Sequence, residues 1–415
     1  EAIAKPADST GWDERRQTEL GRKRIRLLGC TACPDTAMKR TPDDIPALTG
    51  LRGLATLWVL THHFWEFIGF PSIAVGGLDL LPVIKNAYFG LDMFFVLSGF
   101  LVVRPYIRAA QGLGRMPSFG QYLLRRAKRV VPAYWANVTL LAVFIGVGTG
   151  QSPMSTLEYF GYLGFLFWYT LPDQTMMLNP VWWTLPVEWW AYFLLPPLVL
   201  ALKRLPIWLW LGLVLTFVLW TRWNLVQHFF AGDTSFWWQP LDFRHLRSRF
   251  DQFAIGVLAA WIFERGVSAE QARRVGWCGL ALFAIVFVHV GWFVPRWFED
   301  AIRPWMYFNY TAAAVPLAMI ILAMAAGWRP LARCFEGKVA LLSGAMSYSL
   351  YLWHFPIFVW VFKYAPIVSD WPLPARGFIA LVLTAATTWT AYHLFERPFL
   401  SQRARSDNAA QVAGQ

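Results

Sequence analysis

The chain has 415 residues, of which 57% are hydrophobic, 17% aromatic and only 15% charged, and its formal net charge is +12. This composition excludes an ordinary soluble globular protein, which needs far fewer apolar residues to build its core. The basic residues lie in short segments between apolar stretches. The positive charge therefore indicates membrane topology and contact with anionic headgroups or an anionic substrate, rather than nucleic-acid binding.

The first segment, residues 1–44, is polar, carries charges of both signs and lacks sustained apolar periodicity. This pattern predicts a disordered or loosely helical tail. The tail contains the Cys-x-x-Cys pair Cys30 and Cys33, but no second pair completes a zinc site. We therefore expect ordinary cytoplasmic thiols and no metal.

From Ile45 onward, apolar segments recur that are long enough to cross a hydrocarbon core of about 30 Å. They predict an all-α integral membrane protein. Residues 45–400 would form one transmembrane domain, and residues 401–415 a short cytoplasmic tail. About ten spanning helices are predicted, over 47–68, 86–104, 131–149, 184–202, 206–222, 250–265, 275–294, 305–326, 340–361 and 375–394.

The distribution of Lys and Arg favours ten crossings with both termini in the cytoplasm, because every loop then predicted to be cytoplasmic is basic. Residues 156–171 are apolar enough for an eleventh helix, but a crossing there would move every later basic loop outside. We therefore expect 156–183 to be an outer-face or re-entrant element. The longest predicted outer loop, 223–249, is highly charged and is either an acceptor-binding surface or a solvated loop.

The first predicted helix carries ionisable side chains, which are costly inside a membrane and indicate function. Arg52 and His63 lie within about 20° of the same helix face and about 16 Å apart along its axis. Glu66 follows His63 by one helical turn, so its carboxylate can orient either His62 or His63. We predict a catalytic histidine in this pair. His63 is favoured because it shares the face of Arg52, and a pair satisfied by backbone carbonyls is the alternative.

A basic segment precedes the third predicted helix and contains Arg125, Arg126 and Arg129. Arg126 and Arg129 are one helical turn apart, so their guanidinium groups can bind phosphates together. Anchoring of the helix by positive charge is the alternative.

An aromatic segment, residues 179–190, places Glu188 near the outer end of the fourth predicted helix, among tryptophans that include Trp183. Flat aromatic faces bind sugars, and Glu188 can accept a hydrogen bond from a hydroxyl group. An interfacial aromatic belt is the alternative. Ser98, which precedes Gly99, is expected to allow close helix packing and not to act as a nucleophile.

Six segments, in order, resemble the acyltransferase-3 family of membrane-bound O-acyltransferases, which includes bacterial acetylases of O-antigen and exopolysaccharide. The resemblance spans residues 45–400. The matching segments are 45–55 with the histidine pair, 94–100, the Arg126–Arg129 turn with Pro132, 183–188, 347–356 and 396–398.

The resemblance implies a basic residue and a histidine on the first helix, here Arg52 and His63, an Arg-x-x-Arg turn, and acyl-CoA as a cytoplasmic donor. The implied reaction transfers an acyl group, expected to be acetyl, to a sugar hydroxyl of a polysaccharide or glycolipid at a bacterial inner membrane. The residues expected to bind the acceptor are Glu188, Trp183, His354 and Tyr351, and for His354 a helix-packing hydrogen bond is the alternative.

The resulting hypothesis assigns the CoA phosphates to Arg126 and Arg129, with Arg125 beside them. Arg52 would guide the pantetheine arm or polarise the thioester, and His63 would act as general base. An acyl-histidine intermediate stays open. Two other functions also stay open: acylation of a small lipophilic acceptor such as a macrolide, and a proton-coupled transporter or flippase, although no repeat with broken helices is visible.

Overall fold

The computed structural model describes residues 45–150, 152–167, 178–230, 245–293 and 302–400. The predicted tails, including Cys30 and Cys33, and part of the predicted outer loop lie outside these residues. The helices are α1 (Pro46–Phe67), α2 (Leu81–Lys85), α3 (Phe89–Val102), α4 (Arg104–Ala110), α5 (Phe119–Thr149), α6 (Thr156–Leu163), α7 (Thr184–Arg204), α8 (Ile207–Phe230), α9 (Leu246–Arg265), α10 (Ala269–Val288), α11 (Ile302–Ala325), α12 (Arg329–Ala332), α13 (Lys338–Ala345), α14 (Ser347–Val359) and α15 (Leu373–Ala391).

Short 3₁₀- or π-helical turns extend or connect these helices. They cover Asn86–Tyr88, Pro180–Trp183, His289–Phe293, Arg333–Phe335, Trp360–Tyr364, Pro366–Val368 and Tyr392–Glu396.

A small hairpin after α1 contains the strands that the structure describes, β1 (Ala74–Val75) and β2 (Leu78–Asp79). The strands are antiparallel, with Val75 opposite Leu78. Gly76 and Gly77 both have positive φ, 58° and 82°, which is the conformation that a two-residue hairpin turn requires and that glycine adopts without strain.

The architecture is that of an all-α membrane protein. Within the described residues, seven helical segments are long and apolar enough to cross a membrane, or eight if one bent pair counts as a span. Helices lie at all ten predicted positions, but α1 and α9 are not among the seven because both carry several charged or polar side chains. The helix α6 has 8 residues and is too short to cross. The rest of the predicted outer-face or re-entrant element 156–183 lies partly outside the described residues.

The bent pair consists of α13 and α14, whose axes differ by 77° at a break around Met346. The sequence predicted one spanning helix over 340–361, and the structure divides this segment into two helices at the break. The break leaves the carboxyl end of α13 in the interior, where the last carbonyl groups of a helix need partners from elsewhere.

Two glycines allow α1 and α13 to touch along their backbones. A Cβ atom on Gly53 would lie 2.4 Å from the backbone nitrogen of Gly344, and one on Gly344 would lie 2.1 Å from the carbonyl oxygen of Thr49. Small residues permit such close approach in membrane proteins. The contact brings the polar face of α1 against the helix break.

Charged residues are buried between α3, α4, α8 and α9. Arg249 donates to Asp92 at 2.9 Å, and the fully buried pair Arg222 and Asp251 is 2.7 Å apart. The sequence placed Arg249 in an exposed outer loop, but α9 begins before it and turns its side chain inward. A buried cation of this kind needs a paired carboxylate, which Asp92 supplies.

Candidate functional site

The polar face of α1 lies along the broken helix α13–α14 at two points. Nη2 of Arg52 donates a hydrogen bond to the carbonyl oxygen of Gly344 at 2.8 Å, at the carboxyl end of α13. Helix carboxyl ends carry partial negative charge, which stabilises a cation there. Farther along α1, Nδ1 of His63 lies 2.9 Å from Nε2 of His354 on α14. The face that periodicity predicted for Arg52 and His63 is therefore covered by one partner element.

Hydrogen bonding determines which nitrogen carries the proton when both histidines are neutral. Nδ1 of His354 lies 3.1 Å from the carbonyl oxygen of Leu350, which only accepts, so this nitrogen must donate. Nε2 of His354 is then an acceptor, and Nδ1 of His63 must donate to it. The lone pair of His63 is consequently on Nε2, for which the described residues supply no hydrogen-bond partner. His63 is thus held as a base with its free nitrogen pointing away from His354.

His62 is held by a different contact, and Glu66 forms no hydrogen bond with either imidazole among the described residues. Nδ1 of His62 lies 3.1 Å from the carbonyl oxygen of Ile84. Glu66 is exposed, and its carboxylate accepts no hydrogen bond from His62 or His63 in the described part of the chain. The partner that orients His63 is therefore His354, which the sequence had suggested as an acceptor-binding residue or as a helix-packing hydrogen bond.

Glu188 lies near Arg52 and not beside His63. Its Oε1 accepts hydrogen bonds from the hydroxyl groups of Ser98 at 2.8 Å and Tyr192 at 2.6 Å. Arg52 interacts electrostatically with Glu188. The hydroxyl of Ser98 thus has a polar partner, while the close packing expected of it belongs to Gly99, whose Cβ would lie 2.1 Å from the carbonyl oxygen of Phe253.

A second buried carboxylate, Glu396, completes this group and was not predicted as a site residue. Ser349 donates to its Oε2 at 2.7 Å, and both residues are buried. Glu396 interacts electrostatically with Arg129 and Arg52. The Glu-Arg-Pro motif at 396–398 was a sequence signal for this residue, but the motif did not indicate what it faces.

The three predicted phosphate-binding arginines lie on α5 and are half-buried. Arg126 and Arg129 are both within electrostatic range of Tyr192, and Arg129 of Glu396. Arg125 lies within electrostatic range of Tyr106 and Tyr122 instead. A donor cluster, which we define as Arg52, Arg126, Arg129, Glu188 and Glu396, therefore sets three guanidinium groups against two carboxylates and has an excess of positive charge.

Tyr351 and Trp183 occupy structural positions around the turn before α7. The hydroxyl of Tyr351 donates to the carbonyl oxygen of Val181 at 2.8 Å, and its ring contacts that of His354. The ring of Trp183 lies under Arg249, with 5.5 Å from the guanidinium carbon to the ring centroid. Tyr351 is therefore next to His354, whereas Trp183 faces the Asp92–Arg249 ion pair.

Comparison with known proteins identifies the family of the chain. The family Acyl_transf_3, described as an acyltransferase domain, matches residues 45–393. The chain belongs to this family. The match covers His62, His63, His354 and the donor cluster except Glu396, which lies three residues beyond its end. Membership in the acyltransferase-3 family confirms the resemblance that the six sequence segments indicated.

Several curated relatives match at low identity. O-acetyltransferase OatA of Staphylococcus aureus is 23% identical over 386 residues, covering 86% of this chain and 57% of OatA. Nodulation protein 10 of Rhizobium leguminosarum bv. viciae is 25% identical, covering 85% of this chain and 92% of that protein. Putative peptidoglycan O-acetyltransferase YrhL of Bacillus subtilis is 24% identical, covering 87% and 56%. The chain thus spans little more than half the length of OatA and YrhL. No solved structure matches.

Proposed function

We propose that this acyltransferase-3 protein is an O-acetyltransferase that moves an acetyl group from acetyl-CoA to a hydroxyl of a cell-envelope glycan. The names of OatA and YrhL support the reaction and the class of acceptor. The observation that carries the proposal is the hydrogen bond from His63 to His354, which leaves Nε2 of His63 as a proton acceptor.

The donor cluster is the proposed acetyl-CoA site. Its excess positive charge suits the phosphates of CoA, and paired guanidinium groups bind phosphate oxygens in a bidentate way. With both termini in the cytoplasm, this end of α1 faces the cytoplasm, where acetyl-CoA is available, and the protein lies in the bacterial inner membrane. Because Arg52 lies about 16 Å from His63 along the helix axis, we assign it to the pantetheine arm and not to the thioester.

The proposed chemistry is a single proton-coupled displacement. Nε2 of His63 takes the proton of the acceptor hydroxyl while its oxygen attacks the thioester carbonyl carbon. The carbon–oxygen bond forms, the carbon–sulfur bond breaks, and the proton on Nε2 passes to the departing sulfur to give free CoA. His354 accepts a hydrogen bond from Nδ1 of His63 throughout, which favours the transient imidazolium ion.

Release of free thiol from acetyl-CoA by the purified, detergent-solubilised protein tests this function, with a glycan extract as acceptor. We expect wild type to release thiol, His63→Gln to lose at least about 100-fold in rate, and His62→Gln to retain activity. His393→Gln is the matched control, because His393 is half-buried, as His63 is, but its Nδ1 bonds the carbonyl oxygen of Trp389 on its own helical segment. Acceptor binding without thiol release would contradict the enzyme and favour the transporter.

A further inference from the structure

The end of α1 opposite Arg52 carries a cluster of potential metal ligands. His62, His63 and Glu66 each offer one ligating atom, and these atoms lie within 4.8 Å of one another. His62 and His63 are half-buried and Glu66 is exposed. No other group of three such residues occurs among the residues that the structure describes.

Both imidazoles are held as metal-binding histidines are. A histidine ligand characteristically donates its second ring nitrogen to a carbonyl oxygen or another acceptor, which fixes the ring and leaves a lone pair for the metal. Nδ1 of His62 is directed to the carbonyl oxygen of Ile84 at 3.1 Å, and Nδ1 of His63 to Nε2 of His354 at 2.9 Å. Nε2 of each ring is therefore the available ligand atom.

The spacing suits zinc after a small adjustment. Tetrahedral ligands at about 2.0–2.1 Å from Zn²⁺ lie about 3.3 Å apart, so the three atoms must approach by up to about 1.5 Å. Glu66 can contribute to this movement because its side chain is exposed. Two imidazoles and one carboxylate are a zinc ligand set with an open fourth position, whereas Mg²⁺ and Ca²⁺ prefer oxygen ligands.

We propose that His62, His63 and Glu66 form a Zn²⁺ site in which the metal occupies Nε2 of His63 and so inhibits acetyl transfer. The sequence had indicated no metal here. The inhibition rests on the proposed function, because it requires His63 to be the base, but the binding of zinc does not. Zinc at this position takes the lone pair that would otherwise accept the proton of the acceptor hydroxyl.

Isothermal titration of the full-length, chelator-treated protein with ZnCl₂ tests the binding. The protein must lack a polyhistidine tag, and Cys30, Cys33, Cys278 and Cys334 are changed to serine because thiolates compete for zinc. We expect one Zn²⁺ per chain, no heat with MgCl₂, and affinity at least about tenfold weaker in His62→Gln and in Glu66→Gln. His393→Gln is the control and should bind as the parent does.

X-ray absorption of the zinc-loaded protein provides a second measurement, which reports the ligands themselves and not the affinity. We expect about two imidazole nitrogens in the first coordination shell, and one fewer in His62→Gln. Unchanged zinc affinity in both variants, or no saturable binding by the parent, would overturn the site.

Activity assays separate this proposal from the proposed function. Zinc should inhibit thiol release in the parent protein, and about tenfold more zinc should be needed for half-inhibition in Glu66→Gln, measured against the uninhibited rate of that variant. Zinc binding at these residues without any acyltransferase activity would leave the metal site standing and refute the enzyme. An active enzyme that binds no zinc would support the proposed function and refute the metal site.

Discussion

Nδ1 of His63 and Nε2 of His354 lie 2.9 Å apart, and the two rings stack with centroids separated by 5.1 Å. Because the carbonyl oxygen of Leu350 requires a donor at Nδ1 of His354, this pair leaves Nε2 of His63 as the basic nitrogen. His354 is therefore a positioning residue in the proposed reaction, since it orients the base without touching the substrate.

We expect His354→Phe to lower kcat about 100-fold and to leave the KM for acetyl-CoA unchanged. Phenylalanine keeps a ring in the buried site but offers no acceptor to Nδ1 of His63. In His354→Gln, a side-chain oxygen can accept that hydrogen bond, so about tenfold of the loss should be recovered. Steady-state thiol release measures both variants. Equal losses of kcat in His354→Phe and His354→Gln would mean that His354 acts through packing alone.

The face of α1 was predictable because it depends only on helix geometry, which relates Arg52 to His63 without knowledge of any other element. The partner of His63 was not predictable. His354 is 291 residues away in the chain, and α13 and α14 together are apolar enough to be predicted as one span. Local periodicity predicts a face, but it does not predict which element covers it.

Buried charge was predictable only where a helix was recognised first. Arg249 was placed in a loop because hydropathy treats each charge as exposed, whereas its partner Asp92 is 157 residues distant. Glu396 was not predicted as a site residue for the same reason. The arginines that compensate its charge, Arg52 on α1 and Arg129 on α5, are far from it in the chain.

Arg129→Gln should raise the KM for acetyl-CoA about tenfold with a smaller effect on kcat. Loss of one guanidinium group removes a phosphate contact and leaves Glu396 with less compensating charge. Arg129→Lys should recover only part of the affinity, because an ammonium group cannot bind two oxygens in a fork. Steady-state kinetics over a range of acetyl-CoA concentrations measures the change.

Lys128→Gln is the matched control for that prediction. It removes the same charge from the neighbouring position, but Lys128 is exposed. A comparable rise in KM in this variant would show that the effect is general surface charge and not the donor cluster.

Gly53→Ala should lower both thermal stability and activity. Its Cβ would lie 2.4 Å from the backbone nitrogen of Gly344, so α1 and α13 must separate, at a cost of about 1–3 kcal/mol, and the hydrogen bond from Arg52 is lengthened. Gly120→Ala in α5 is the control, because no atom lies within 4 Å of the added carbon, and it should be neutral or slightly stabilising. Thermal unfolding in detergent compares the two. Equal stability would contradict the close contact.

Arg222→Met should be the most destabilising of these substitutions. Arg222 and Asp251 are completely buried 2.7 Å apart, and Thr311 also hydrogen-bonds both, so removing the cation leaves an uncompensated carboxylate at a cost of about 3–5 kcal/mol. Adding Asp251→Leu should recover much of this loss, because the buried charge is then absent.

Arg274→Met is the control for this prediction. Its pair with Glu270 is exposed, with side-chain accessibilities of 74% and 61%, and its removal should cost at most about 0.5 kcal/mol. Unfolding in a denaturing detergent series measures all three. Arg222 also donates to the carbonyl oxygens of Ser248 and Tyr307, and a double variant as unstable as Arg222→Met would show that Arg222 stabilises through these contacts and not through Asp251.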